Sequence, residues 1–565
     1  MSHRIIVLRW IFVILFVLLL GRLSMLQVFE REGYRILAER QQRASFDAMA
    51  KRGSIFFTSK DSAFLAATQK PVFELAINPQ SLKNREAAFL YLEQFLKLDK
   101  EEFFAKASLD DPFEVIARGI DKDLKEEIAS DAPLGIEFVE SVRRFYPAGE
   151  LASHVLGFLG EDQELGFSGR YGIEQYYEYA LAPDERFSTE EVTAGGKLLA
   201  FGNFSEDAGG ADLALTLDAQ VQFFSERVLK ETIEKWNAKS GGIIVLEPPT
   251  GKILAMASRP TFDPNAYFEE DSLTVFLNPL VQNIFEVGSV VKPLTMAAAI
   301  DRDVVVPETT YVDRGMRAID GHVIENFDGE ARGKVSMQEI LSQSLNTGAV
   351  FLAERIGKES FRNYFEAFGL GELTEVDLAG EIPGNLNNLD SPRFIEYATA
   401  AFGQGIGVTP LGFTMALGAL ANGGLLMRPY IVEKISYPSG RVYTIGPEVK
   451  RRVIKETTSR TVTRMLVNVV DTVLAGGQSK LPGYSMAAKT GTAEIPSQYS
   501  KGYSDDFLHA FFGYAPAFKP QFLIFMYIER PEGVRYASQT LTEPHKELMQ
   551  FLLNYYEIPP DRLPS

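Results

Sequence analysis

The spacing of apolar positions along this chain divides it into stretches of different kinds. Residues 5–20, I-I-V-L-R-W-I-F-V-I-L-F-V-L-L-L, are almost continuously apolar, and that character persists through Gly21 to Leu26 past Arg22. A bilayer core of about 30 Å needs about 20 helical residues, so a transmembrane helix is predicted, with Arg9 and Arg22 able to snorkel to its ends. Further on, A-D-L-A-L-T-L-D (Ala211 to Asp218) alternates like a half-buried strand, and Asp218 is a suitable N-cap for a helix reaching about Trp236. Two apolar runs flank P-P-T-G within Gly241 to Ser258 and predict a β-hairpin. Residues 290–425 carry helical spacing, as in M-Q-E-I-L-S-Q-S-L-N and L-G-F-T-M-A-L-G-A-L-A-N. Strand character returns in Y-S-M-A-A-K-T-G-T-A, H-A-F-F-G-Y-A-P and Q-F-L-I-F-M-Y-I-E, before a last helix from about Glu543 to Tyr556. The three late strands pair most simply with the early hairpin, as one antiparallel sheet. Residues 30–205 mix short helical and strand-like runs with many charges. The fold class is α+β.

Composition narrows the function. At 565 residues the chain holds more than one domain, and 46% hydrophobic with 23% charged residues is the balance of a folded protein. A net charge of −18 argues against nucleic acid as a partner. The absence of cysteine excludes disulfides, thiolate catalysis and cysteine-ligated metals. His3, His154, His322, His509 and His545 show no metal-ligand spacing, and no H-E-x-x-H occurs, so neither a metal nor another cofactor is expected. No serine lies in G-x-S-x-G. Arg4 and Arg9 precede the bulk of the apolar segment while Glu30 and Glu32 follow it, which predicts a cytoplasmic N-terminus and an exported remainder. No A-x-A-like cleavage site follows, so an uncleaved anchor is expected rather than a signal peptide.

Three short motifs could carry chemistry. In E-V-G-S-V-V-K-P (Glu286 to Pro293), Ser289 and Lys292 stand three apart, on one helical face, and Pro293 is tolerated only in a first turn. That arrangement suits a catalytic pair or an ordinary helix start. Ser344-Leu345-Asn346 is the chain's one S-x-N, and Lys489-Thr490-Gly491-Thr492 lies in a strand-like run; Lys239-Ser240-Gly241 is a chance look-alike that opens the hairpin. A serine hydroxyl needs an adjacent base to become nucleophilic. A lysine serves as that base only when neutral, and burial or a second cation depresses its pKa. Lys489 can be the cation and Lys292 the base, although a solvated lysine in a first helical turn has the same local sequence.

Taken in order, S-x-x-K, S-x-N and K-T-G-T resemble the serine penicillin-recognising enzymes, and more narrowly class B penicillin-binding proteins, the monofunctional peptidoglycan D,D-transpeptidases. The resemblance extends to R-L-S-M-L-Q (Arg22 to Gln27), K-R-G-S-I-F (Lys51 to Phe56) and R-F-Y-P (Arg144 to Pro147). It continues through G-I-E-Q-Y-Y from Gly172, P-T-G-K-I-L-A-M-A-S from Pro249, A-F-G-Q-G-I-G-V-T-P (Ala401 to Pro410) and F-F-G-Y-A-P (Phe511 to Pro516). It implies a tail and anchor (1–26), an elongated α+β pedestal of the dimerisation type (27–205), a transpeptidase domain (206–558) and a short tail (559–565). The transpeptidase domain is expected as a five-stranded antiparallel sheet flanked by helices, plus an all-helical subdomain. Ser289 would attack between two D-alanines of a stem peptide, with Lys292 as base, Ser344 relaying a proton and Asn346 orienting Lys292 and substrate. Lys489, Thr490, Gly491 and Thr492 would hold the donor's carboxylate, and the N–H groups of Ser289 and Thr492 would form the oxyanion hole. β-Lactams would acylate the same serine; the lack of E-x-x-L-N disfavours lactamase activity. Expected partners are stem peptides as donor and amine acceptor, a SEDS-family glycosyltransferase and other membrane proteins of division.

Departures from the family pattern are Val287 in place of a proline, Ala488 in place of a glycine, and F-F-T-S-K-D (Phe56 to Asp61) where a D-R-x-G turn is usual. The compact pedestal and the Phe285-containing approach to Ser289 favour a septal enzyme over an elongation enzyme. A membrane-anchored β-lactam sensor would need a signalling module, for which the residues before Ile5 are too few. An inactive wall-synthesis scaffold would not need all three motifs.

Overall fold

The computed structural model describes residues 52–60, 62–162, 166–182, 209–477, 479–497 and 502–563, with isolated positions between 10 and 16. The expected membrane segment, 5–26, lies almost wholly outside the described residues, among which no helix is long and apolar enough to cross a membrane. The chain forms two compact units.

The larger unit is built on five strands: β1 (Ser240–Glu247), β2 (Lys252–Arg259), β3 (Ala487–Pro496), β4 (Tyr503–Ala515) and β5 (Phe522–Glu529). Their order is β3-β4-β5-β1-β2, all antiparallel, so the early hairpin pairs with the three late strands as expected. β3, which carries K-T-G-T, is an edge strand. Every residue of β5 but the last is buried, because helices cover both faces. Phe522 packs on Tyr556, next to the helix Thr542–Tyr555, while Phe525 meets Phe413 of the helix Pro410–Ala421. Positions three apart on a strand face opposite ways. The helix Ala219–Trp236 stacks Phe224 on Phe551 with 4.0 Å between ring centres, and Asp218 caps it by accepting from Gln220 and Val221 N–H.

The strand Asp212–Asp218 forms as predicted, and it pairs with Ile55–Thr58 and Val432–Ser436, outside the five-stranded sheet. Residues 53–68 and 146–181 pack with the larger unit. Tyr146, Ile173 and Leu181 are buried in the larger unit's apolar core, which explains the membership. The helical stretch is not all-helical. Thr310–Asp313 pairs with Gly333–Ser336, and Met316–Ile319 with His322–Glu325. Asp320 and Gly321 close the second ladder with φ of +48° and +81°, the two-residue turn that D-G favours.

The smaller unit, chiefly residues 69–145 among those described, has its own core of Leu75, Phe89, Leu92, Phe103 and Ile128. Asn84 and Asp99 cap its helices Arg85–Leu92 and Lys100–Ala107, and Phe89 lies 5.4 Å from Phe103.

Buried histidines tie the larger unit's stability to pH. His154 and His509 are pushed down to about 4 and His545 to about 3, in each case mainly by burial. The unfolded chain takes up their protons below about pH 6.5 and the folded chain does not. Their contribution is therefore complete above pH 6.5 and falls as pH drops toward 4, each by up to about 1.4 kcal/mol per pH unit. The His545→Phe variant is expected to lose one such share of the slope of unfolding free energy between pH 5 and 6, measured by denaturant titration. An unchanged slope contradicts the assignment.

Candidate active site

Ser289 lies in a single 3-10 turn, Gly288–Val291, that runs straight into the helix Lys292–Asp301. Gly288 has φ of +63°, a backbone state side chains resist, and Pro293 sits in the helix's first turn, where no N–H is missed. Ser289 is half-buried. Bare main chain closes on this turn from two sides. A Cβ on Gly491 of β3 would come within 2.9 Å of Val287 O and Val290 N. Gly288 N–H donates to Gly403 O at 3.2 Å, and a Cβ on Gly403 would lie 2.2 Å from Gly288 O.

Lys292 is fully buried. Its Nζ donates to Ser344 O at 2.5 Å and to Asn346 Oδ1 at 2.8 Å, and lies 3.2 Å from Ser344 Oγ. Lys489 Nζ approaches the same hydroxyl at 3.1 Å and donates to Thr490 O at 2.8 Å. Ser344 is thus shared by two amines, and it holds a φ of +55°, uncommon for a residue with a side chain. Asn346 Nδ2 donates to Glu325 O at 2.9 Å, which fixes its oxygen toward Lys292. Burial, and next the charge of Lys489, hold the Lys292 amine well below the usual lysine range, and burial pushes Lys489 down to about 8.

Counting protons shows what this group can do. A neutral amine has two N–H bonds and one lone pair, and the Ser344 and Asn346 oxygens, which only accept, occupy both N–H bonds. The lone pair is left for a hydroxyl proton. Among the described residues no hydrogen bond joins Ser289 Oγ to Lys292, so the hydroxyl facing the amine here is that of Ser344. Apo geometry of this kind often tightens when substrate binds.

The structure therefore gathers Lys292, Ser344, Asn346 and Lys489 into one hydrogen-bonded group, and sets Gly491 and Thr492 against the Ser289 turn. Thr490 and Thr492 are half-buried; Thr492 Oγ1 accepts from Ala537 N at 3.0 Å and keeps its own proton to donate. Sequence reasoning passed over Glu286. Its carboxylate accepts from Gly405 N–H and from Tyr503 O–H, both at 2.9 Å, and burial raises its pKa. The signal was its place three residues ahead of Ser289. It also passed over Asp313, Asn326 and Thr347, buried behind Asn346, which no motif marks. A cavity of about 450 Å³ opens among Phe285, Glu286, Gly405, Glu494 and Ile495; its lining includes neither Ser289 nor Lys292.

The departures from pattern fit their surroundings. Val287 is fully buried with φ of −86°. Ala488 lies opposite Gly513, whose missing side chain leaves it room. Ser59 and Lys60, in the altered segment, meet Tyr555 and Glu557 near the end of the last helix.

The penicillin-binding protein transpeptidase domain model matches residues 241–550, and the penicillin-binding protein dimerisation domain model matches 47–215. The chain is 30% identical over 548 residues to stage V sporulation protein D of Bacillus subtilis, covering 94% of this chain and 83% of that one. It is 28% identical over 454 residues to peptidoglycan D,D-transpeptidase FtsI of Escherichia coli, covering 80% and 74%. Penicillin-binding protein 2X of Streptococcus thermophilus superposes with a TM-score of 0.71 at 20% identity, over 90% of this chain and 80% of that one. A peptidoglycan synthetase of Bifidobacterium adolescentis gives 0.69 at 24%, over 91% and 97%. These two structures share the fold. A family model spanning more than half of the chain, with the dimerisation model ahead of it, leads to one conclusion: the chain belongs to the penicillin-binding proteins, and within them to class B.

Proposed function

We propose that the protein is a peptidoglycan D,D-transpeptidase that cross-links stem peptides through an acyl-enzyme on Ser289. The observation that carries this reading is the buried Lys292 amine, whose N–H bonds are committed to acceptors and whose charge is opposed by Lys489. Relatives bearing the name peptidoglycan D,D-transpeptidase support it.

In the first half, Lys292 takes the Ser289 proton as Oγ bonds to the carbonyl carbon between two D-alanines. The C–N bond then breaks, and the proton passes from Lys292 through Ser344 to the departing D-alanine amine. In the second half, the amine of a neighbouring stem forms a new C–N bond and gives up one of its protons through Ser344 to Lys292, the Oγ–C bond breaks, and Lys292 passes that proton to Ser289 Oγ. Asn346 orients Lys292, and the Ser289 and Thr492 N–H groups receive the negative oxygen, a contact whose loss typically costs about 10²–10³ in rate. Lys489, Thr490 and Thr492 hold the terminal carboxylate, and Gly491 lets β3 pass close to the turn. A β-lactam enters the first half and stays.

The enzyme acts outside the cytoplasmic membrane, tethered by residues 5–26, in septal wall synthesis beside a SEDS-family glycosyltransferase and other division proteins. Several relatives are named FtsI, which supports the septal role over elongation. Depletion in cells is expected to give filaments; rounded cells would instead favour elongation.

A fluorescent penicillin is expected to label the purified protein covalently, and Ser289→Ala to abolish labelling. An acyl group found by mass spectrometry on another residue contradicts the site. A stem-peptide donor and an amine acceptor should yield cross-linked product, which a sensor or scaffold would not make. Removing the Lys489 charge raises the pKa of Lys292, since a neighbouring cation disfavours its ammonium form. The acid limb of acylation rate against pH should therefore move to higher pH in Lys489→Gln. A limb that stays in place, or moves lower, rules out this electrostatic coupling.

A further inference from the structure

Behind the Ser344–Asn346 turn lies a polar group that the mechanism above does not use. Asp313, Asn326 and Thr347 are all nearly fully buried, at 2%, 4% and 1% exposure. The Asp313 carboxylate receives hydrogen bonds from three separate segments. Its Oδ1 accepts from Thr347 Oγ1 at 2.7 Å and from Gly315 N–H at 3.1 Å. Its Oδ2 accepts from Arg332 N–H at 2.9 Å and from Asn326 Nδ2 at 3.0 Å. Asn326 Nδ2 also donates to Glu330 O at 3.2 Å, so both its hydrogens are engaged and its amide orientation is settled. That orientation turns Asn326 Oδ1 toward Thr347 N–H, which it accepts at 3.3 Å.

Thr347 directly follows Asn346 at the start of the helix Asn346–Ile356, and Asn326 directly follows Glu325, whose carbonyl receives the Asn346 amide at 2.9 Å. The main chain on both sides of the Asn346 side chain is thereby tied to one carboxylate. From Asn346 a single further hydrogen bond, 2.8 Å long, reaches Lys292.

We infer that Asp313, acting through Asn326 and Thr347, is a positioning residue that holds the Asn346 amide against Lys292 for acylation. Burying a carboxylate is costly unless its acceptor capacity is filled, and here N–H and O–H donors on Gly315, Asn326, Arg332 and Thr347 fill it. A group that can only accept is required. An asparagine in its place would turn an N–H toward Arg332 N–H and Asn326 Nδ2, or else toward Thr347 and Gly315. Displacing a catalytic contact by about 1 Å can cost about 10² in rate.

The inference rests on the proposed acylation of Ser289, and the two fail differently. If Ser289 is not the nucleophile, a fluorescent penicillin leaves the unaltered protein unlabelled at that residue. The test of Asp313 compares acylation rate constants for the unaltered protein, Asp313→Asn, Asn346→Ala and the double variant, each with its thermal midpoint. Asp313→Asn should acylate about 10- to 100-fold more slowly while noncovalent affinity for the penicillin stays within about twofold, and the double variant should be no slower than Asn346→Ala alone. Independent, multiplying effects would overturn the inference, because distant structural damage adds to other losses in free energy. So would an unchanged rate in Asp313→Asn. If that variant does not fold, Thr347→Val removes one donor to the carboxylate with little change of shape and goes through the same cycle with the same criteria.

Discussion

An ammonium group shut away from water with a second ammonium for company is the constraint around which the larger unit is arranged. Lys292 is fully buried, and its neighbour Lys489 is only 4% exposed. Burial, and after it the charge of Lys489, hold the Lys292 amine well below the usual lysine range. That shift favours the neutral amine, with its lone pair free. The Ser344 hydroxyl lies within 3.2 Å of one amine and 3.1 Å of the other.

Each of the three motifs is delivered by a different kind of element. Ser289 comes from a short turn ahead of a buried helix, Ser344 and Asn346 from the start of another helix, and Lys489 to Thr492 from the edge of a sheet. Burial on both faces of the central strands fixes that sheet. The small ladders at 310–336 reach the motif through the Glu325 carbonyl, the Asn326 amide and the Asp313 carboxylate, and the first of these sets which way the Asn346 amide turns.

Much of this was legible in the sequence because period and chemistry agreed. The alternation of Ala211 to Asp218, the hairpin around P-P-T-G and the apolar run of Phe522–Glu529 each specify an element by their own spacing. The motif residues were legible by type and order. The partners of one strand were not. Asp212–Asp218 pairs with Ile55–Thr58 from far upstream, a partnership that spacing within the strand does not encode. The hairpin at Asp320-Gly321 was masked by helical patterning on either side of it. Asp313 and Asn326 were illegible for a related reason. A lone polar residue gains its role from what folds over it, and single carboxylates are common on any surface.

The turn that carries Ser289 is held between Gly491 and Gly403, each facing it with no side chain. Polypeptide backbone is shared by all substitutions and cannot be trimmed, so this clamp has no adjustable jaw. A methyl added on either wall has nowhere to go, and the displaced part would be the turn that carries Ser289. Variation that loosens drug capture without losing wall synthesis is therefore channelled away from these two contacts, into the loops and rims where side chains can change size.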